Sequence, residues 1–451
     1  MSDVNAGVGS VAGEPPAVVD QESPEAPVAR HLLPMTASLA PSGALAIGGV
    51  DLVALADEVG TPLFVYDEDH LRARCKEAVA CFGGGRVAYG TKAFLCKAMA
   101  ALAVEEGMLL DVSTGGELAV ALAAGVAGDR LVLHGNNKSI PELAAALEAG
   151  VSRVVVDSFD EVRRLSDLAE AGLLDRGLDV LVRVTPGVEA HTHEYVMTGQ
   201  EDSKFGFSLA GGTADQAVEA LRAVPGIRLI GAHSHVGSQI FRVDVFARVV
   251  SLVAPFLQRH KLPECCIGGG LGVAYLNREH APSMAEWAAA VRTACAVARL
   301  PADLRITAEP GRSIVAVAGL TLYRVGTIKR LPGVRTYVAV DGGMSDNPRP
   351  VLYGSGYEAF LPRSPGAGRP LAVRVVGKHC ESGDVLVDDG RVPDDLEIGD
   401  LLATPVTGAY GWSMASNYNK LARPPVMFLR GGQARAVVHR ETIEDLLRLD
   451  E

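Results

Sequence analysis

The sequence predicts a (β/α)8 TIM-type barrel followed by a C-terminal antiparallel β domain, and three observations carry that prediction. Between Val87 and Arg312 one unit recurs eight times: a short β-branched run, a polar or glycine-containing turn, then an Ala/Leu/Glu-rich amphipathic stretch. Eight such units within these residues match the arithmetic of the barrel. After Gly319 the texture changes to β-like runs separated by Gly, Pro and Asp turns, with little helical periodicity before Gly408. The chain of 451 residues, 48% hydrophobic and 21% charged, has room for two ordinary domains and their cores. A doubly wound open sheet uses the same units in another strand order, so it stays open as the alternative.

Taken in order, residues 1–30 are rich in Gly, Ala, Pro and Val without any period, which predicts a disordered leader. Residues 31–62 predict a short strand pair and a helix that join the C-terminal β domain. Residues 63–319 are assigned to the barrel. Its predicted strands are Arg86–Tyr89, Met108–Val112, Arg130–His134, Arg153–Asp157, Asp179–Val184, Arg228–His233, Glu264–Gly268 and Leu304–Glu309. Patterns such as GELAVALAAG, IPELAAALEAG and FDEVRRLSDLAEAG supply the helices between them. Residues 320–451 form the predicted β domain.

Charge and cysteine usage narrow the function. A formal net charge of −12 excludes a phosphate-backbone groove as the main surface, because nucleic acid needs clustered Lys and Arg. No apolar run approaches the length of a membrane helix. The first thirty residues hold one basic residue, Arg30, and no apolar core, so no secretory signal is expected. Seven scattered cysteines outside any CxxC pattern suit a reducing cytoplasm and argue against a disulfide framework or a metal site.

In a barrel, chemistry gathers where strands end. Those ends bring up Lys92, Asp111, His134, Asp157, Arg183, His233 with His235 and Ser238, the glycines 268–270, and Glu309 with Arg312. Lys92 reads either as a snorkelling surface lysine or as a Schiff-base lysine, whose amine must be partly desolvated. IGGGLG (267–272) removes side chains where backbone could wrap an anion, although a tight turn explains it equally well. EPGR (309–312) adds a bend and a cation where phosphate cradles recur in this architecture. A buried Glu309 needs a cationic partner, and a protonated pyridine nitrogen is one. Lysine, carboxylate and anion loop are the three handles of pyridoxal phosphate.

At this point the chain resembles the fold type III pyridoxal-phosphate decarboxylases. The resemblance rests on VAYGTKAF (87–94), DVSTGGEL (111–118), HGNNKS (134–139), RVTPGVEAHTHEYVMTGQEDSKFGF (183–207), HSHVGSQ (233–239), GGGLG (268–272), EPGR (309–312), DGGMSDNPRPVLY (341–353), CESGD (380–384) and GAYGWSMASNYN (408–419). The stretch HTHEYVMTGQEDSKFG (191–206) sets it with the branch acting on diaminopimelate rather than on ornithine or arginine. The resemblance implies decarboxylation of meso-2,6-diaminopimelate to L-lysine, the last step of lysine biosynthesis, in a cytoplasmic homodimer with shared active sites.

Residue by residue, the resemblance implies that Lys92 binds the cofactor covalently, His235 stacks on its ring and Glu309 pairs with its nitrogen, with Asp111 among the cofactor-binding residues. Ser238, Gly270, Gly311, Arg312 and Tyr410 would hold or flank its phosphate. Arg312, Arg349, Tyr353, Glu381 and Tyr410 would bind substrate, and Cys380 would be the general acid. Cys265 and Cys266 depart from the usual lead into the glycines and read as strand packing; Trp412 is also unusual and could alter the pocket wall. The same residues admit three other readings: a related decarboxylase acting on another amino acid, a non-catalytic cofactor carrier, and a sugar-phosphate barrel enzyme using Lys92 on its substrate. The C-terminal domain and Cys380 argue against the carrier, which needs neither.

Overall fold

A computed structural model of the chain describes residues 25–187 and 203–451. Residues 1–24 of the expected leader, and most of the HTHEYVMTGQEDSKFG stretch, lie outside the described residues. Residues 25–30 depart from the expected leader. Val28 is buried, the Ala29 N–H donates to Asn277 Oδ1 (2.8 Å), and the Arg369 side chain donates to the Ala26 carbonyl (2.7 Å).

All eight expected barrel strands form: Ala88–Gly90, Leu109–Val112, Leu131–Leu133, Arg153–Val156, Leu178–Thr185, Ile227–His233, Glu264–Cys266 and Arg305–Thr307. Each pairs in parallel with the next in chain order. A parallel bridge between Val87 and Ala308 joins the last strand to the first, with Ala88 N–H donating to the Ala308 carbonyl at 2.9 Å. Sequential parallel order with closure is the barrel and not the doubly wound sheet.

Local chemistry starts the outer helices where the sequence places them. Thr114 caps Gly115–Ala123, and Ser139 forms a capping box with Glu142 at the head of Ile140–Ala149. Inside the barrel, Ala88, Leu109, Val132, Val155, Leu181 and Cys266 from six strands make one buried layer. That layer floors the cavity above it.

The second body is a mostly antiparallel sheet. Its spine is the long strand Gly319–Leu331, which pairs antiparallel with Arg335–Val340, Leu401–Pro405 and Leu63–Asp67. Two pairings are parallel: Leu63–Asp67 with Val426–Arg430, and Arg335–Val340 with Leu371–Val376. Leu63–Asp67, assigned from sequence to the barrel, is thus a fully buried strand of this second sheet. Its run LFVYD lacks the alternation that marks a half-exposed strand, because both of its faces are covered. A small three-stranded sheet (Ser38–Leu39, Leu45–Ile47, Val50–Asp51) lies against the same body, with Leu45 N–H donating to the Pro362 carbonyl at 2.7 Å. Among the described residues no helix is long and apolar enough to cross a membrane.

Candidate active site

At the C-terminal ends of the barrel strands a cavity of about 360 Å3 opens. It is lined by every residue expected from sequence to touch a cofactor: Lys92, Asp111, His235, Ser238, Gly270, Glu309, Gly311, Arg312 and Tyr410. Lys92 sits in a single 3-10 turn directly after the first strand, where Thr91 is fixed by its hydroxyl on the Asp111 carbonyl (2.6 Å). In one chain the lysine is exposed, so the desolvation expected of it is not supplied by this chain alone.

Glu309 is the electrostatic centre. It stands two residues past the last strand, its N–H held by the Gly268 carbonyl (2.8 Å). One carboxylate oxygen, Oε2, accepts from His233 Nε2 at 2.9 Å; the other, Oε1, lies 3.0 Å from His134 Nε2. Burial alone would raise its carboxyl, but the charges and hydrogen bonds of His134 and His233 outweigh burial and hold it well below the usual carboxylate range. Burial opposes charge on His134 too, yet Asp111 and Glu309 raise it, while burial lowers His233 against the pull of Glu309. Strand-end position flagged both histidines in the sequence, but nothing there revealed that they converge on one carboxylate.

Burial pushes Asp111 up to about 6, with the charge of Glu309 adding to the effect and His134 and Lys92 opposing it. Its Oδ1 has no hydrogen-bond partner and lies 3.6 Å from His134 Nε2. The folded protein therefore binds its proton more tightly than the unfolded chain, whose carboxyl titrates near 3.8, and stability falls as pH rises through that window. Asp111→Asn is expected to stabilise cofactor-free protein near neutrality by up to about 3 kcal/mol, read as a higher melting temperature. The gain should shrink as pH falls below about 6 in thermal scans; an unchanged or lowered melting temperature near neutrality contradicts it.

His235 owes its place to a glycine. Gly268 has φ +64°, and a Cβ there would lie 2.8 Å from His235 Nδ1, so only glycine lets the ring settle. The Gly269 N–H then donates to the same Nδ1 at 3.1 Å, and burial together with the charge of Lys92 keeps the imidazole neutral. Arg312 is anchored by Ser238 Oγ (2.9 Å) and Tyr275 OH (2.7 Å), with the ring of Tyr410 4.7 Å from its guanidinium carbon. Tyr410 adopts φ +59°, a left-handed conformation that costs on the order of 1 kcal/mol outside glycine. Its N–H, donating to the Ala93 carbonyl at 2.8 Å, ties that conformation to the lysine turn.

The residues expected to bind substrate are placed differently. Arg349 and Tyr353 bound the short helix Arg349–Tyr353 and do not line the cavity. Arg349 is buried, donates to Tyr357 OH and lies 4.3 Å over the ring of Tyr275, the residue that also holds Arg312. Cys380 and Glu381 are exposed and also stand outside the cavity of a single chain, Glu381 accepting from Tyr418 OH. Trp412 does not line the cavity: its indole N–H donates to the Pro424 carbonyl (3.1 Å) and its ring packs edge-on against Phe94. Sequence reading missed the Arg183–Asp157 pair (3.2 Å), which sets Arg183 beneath the Phe205 ring at the cavity edge. It also missed Tyr275.

A lysine, an ionised buried carboxylate and an arginine beside a glycine-rich turn, on the ends of barrel strands, define a barrel enzyme for a phosphorylated pyridine cofactor. A family model for the pyridoxal-dependent decarboxylase, pyridoxal binding domain, matches residues 68–316, and the chain belongs to that class. It is 48% identical over 427 residues to the diaminopimelate decarboxylase of Mycobacterium tuberculosis, covering 90% of this chain and 95% of that one. It is 50% identical over 415 residues to that of Actinosynnema pretiosum, covering 90% and 92%. The crystal structure of the M. jannaschii diaminopimelate decarboxylase in co-complex with L-lysine matches with a TM-score of 0.85 at 30% identity, covering 92% and 98%. Within the class, its family is the diaminopimelate decarboxylases, carboxy-lyases that use pyridoxal phosphate.

The residues fit that cofactor on the structure's own terms. Asp111 Oδ1 and Arg312 Nε are buried polar atoms without hydrogen-bond partners. At Gly270 (φ +111°) a Cβ would meet the Gly237 carbonyl at 2.3 Å, so the turn beside Arg312 stays bare.

Proposed function

We propose that this chain decarboxylates meso-2,6-diaminopimelate to L-lysine and carbon dioxide, the last step of lysine biosynthesis, in the cytoplasm. The observation that carries the proposal is the convergence of Lys92, the His-braced Glu309 and the Ser238–Arg312 anion site in one cavity. When bound, pyridoxal phosphate supplies an electron sink for the electron pair left by departing carbon dioxide. Lys92 would hold it covalently, with Asp111 among the residues around it. Glu309, kept ionised, holds a proton on the pyridine nitrogen rather than taking it. His235, neutral and fixed by Gly269, offers a flat uncharged face for the ring to stack on. Ser238, Gly270, Gly311, Arg312 and Tyr410 receive the phosphate.

In this proposal Arg312, Arg349 and Tyr353 bind the distal carboxylate of the substrate and Glu381 its distal ammonium. Tyr410 borders both ligands. Cys380 returns a proton to the reacting carbon. A monocarboxylate would leave the cations of the distal carboxylate site unpaired, which disfavours it by several kcal/mol, on the order of a buried unpaired charge. Steady-state comparison of meso-diaminopimelate with ornithine and arginine tests the assignment. A preference for diaminopimelate of at least about a thousandfold in kcat/KM is expected; a preference for either monocarboxylate contradicts it.

The placement of Cys380 and Glu381 supports an obligate homodimer in which each site takes these two residues from the partner. Each subunit would then divide into a barrel and a β domain, with Leu63–Asp67 assigned to the latter. Inactive Lys92→Ala and Cys380→Ala subunits, mixed and allowed to exchange, should regain up to about half the activity per mixed dimer, since one site has both residues intact. No recovery despite demonstrated exchange means that each site is built within one chain.

A further inference from the structure

Cys266 ends the seventh barrel strand, and its side chain belongs to the buried layer beneath the cavity. From there its Sγ lies 3.3 Å from Glu309 Oε1, the oxygen that also faces His134. We propose that Cys266 is a positioning residue for the reaction, its thiol donating a hydrogen bond that, with that of His233 and the close contact of His134, fixes the Glu309 carboxylate. This rests on the role given to Glu309 above and extends it to a residue that sequence alone assigned to packing.

A carboxylate accepts along roughly four lone-pair directions. His134 and Cys266 face Oε1, and His233 donates to Oε2, so three directions are taken and one, on Oε2, remains for a further donor. The thiol is fully committed to the protonated form, since burial and then the charge of Glu309 raise it far above the ordinary range. It therefore donates and never competes as an anion. Filling the second direction of Oε1 keeps the carboxylate from rotating about its terminal bond and leaves a single acceptor position toward the cavity. An apolar residue there would pack in the same layer but leave Oε1 facing His134 alone.

Packing and donation make opposite forecasts for two variants. If the thiol donates, Cys266→Ser keeps most of kcat, while Cys266→Val lowers kcat by about fivefold to tenfold with little change in KM, the size of one hydrogen bond to a charge. If Cys266 only packs, the apolar variant is the better one and the hydroxyl is the damaging change; that order overturns the proposal. A readout free of activity uses cofactor-free protein. The infrared S–H stretching band that disappears in Cys266→Ala should lie at the low frequency of a strongly hydrogen-bonded thiol. It should move to the free-thiol position in Glu309→Ala. A band at the free-thiol position in the wild-type protein overturns the proposal whatever the kinetics show. If Glu309 variants retain full activity while the band is shifted as expected, the role assigned to Glu309 fails and the hydrogen bond stands.

Discussion

Lys92→Ala is expected to abolish turnover, with a loss of at least about a thousandfold in kcat/KM, and to remove the borohydride-reducible absorbance band of the cofactor. The size of the effect follows from geometry. Among the residues lining the cavity Lys92 is the one amine, and the guanidinium groups of Arg183 and Arg312 there cannot take its place in a covalent bond to an aldehyde. The turn that carries the lysine is held from two sides, by Thr91 on the Asp111 carbonyl and by Tyr410 on the Ala93 carbonyl, so truncation at Cβ should leave the fold intact. Circular dichroism and a melting scan check that. A folded Lys92→Ala protein that still shows a reducible band would move the covalent link to another residue.

Glu309→Gln is the second large effect, and it separates binding from chemistry. The amide preserves shape, but it replaces an ionised acceptor by a group that presents N–H to one of two histidine nitrogens 2.9 and 3.0 Å away. Cofactor content, read from absorbance, should stay near stoichiometric because the phosphate site at Ser238 and Arg312 is untouched. The proton on the pyridine nitrogen should be lost, and kcat should fall about a hundredfold to a thousandfold, the range for removing one preorganised electrostatic partner. A rate within a factor of a few of wild type would make Glu309 a structural residue.

Much of this site was legible because barrels concentrate chemistry at strand ends, so eight β-branched runs led directly to Lys92, Asp111, His235 and Glu309. What stayed hidden depends on side chains meeting across the barrel. His134 and His233 lie 99 residues apart in sequence and meet on Glu309, and no spacing rule encodes that. Cys266 read as packing because buried cysteine usually is packing, and its position on the strand next to the one that leads to Glu309 exists only in three dimensions. Leu63–Asp67 was misassigned for a related reason: a buried strand shared between distant segments looks, in one dimension, like the lead-in to whatever follows it. The substrate-end residues Arg349, Tyr353, Cys380 and Glu381 came from family resemblance alone, and a single chain does not bring them into the cavity.

The most direct test is to locate the cofactor. The purified protein, reduced with borohydride and digested, is analysed by tandem mass spectrometry for the phosphopyridoxyl group. The account predicts a single modified peptide, carrying VAYGTKAF with the group on Lys92. A group on any other lysine, or none in protein that turns over diaminopimelate, contradicts it.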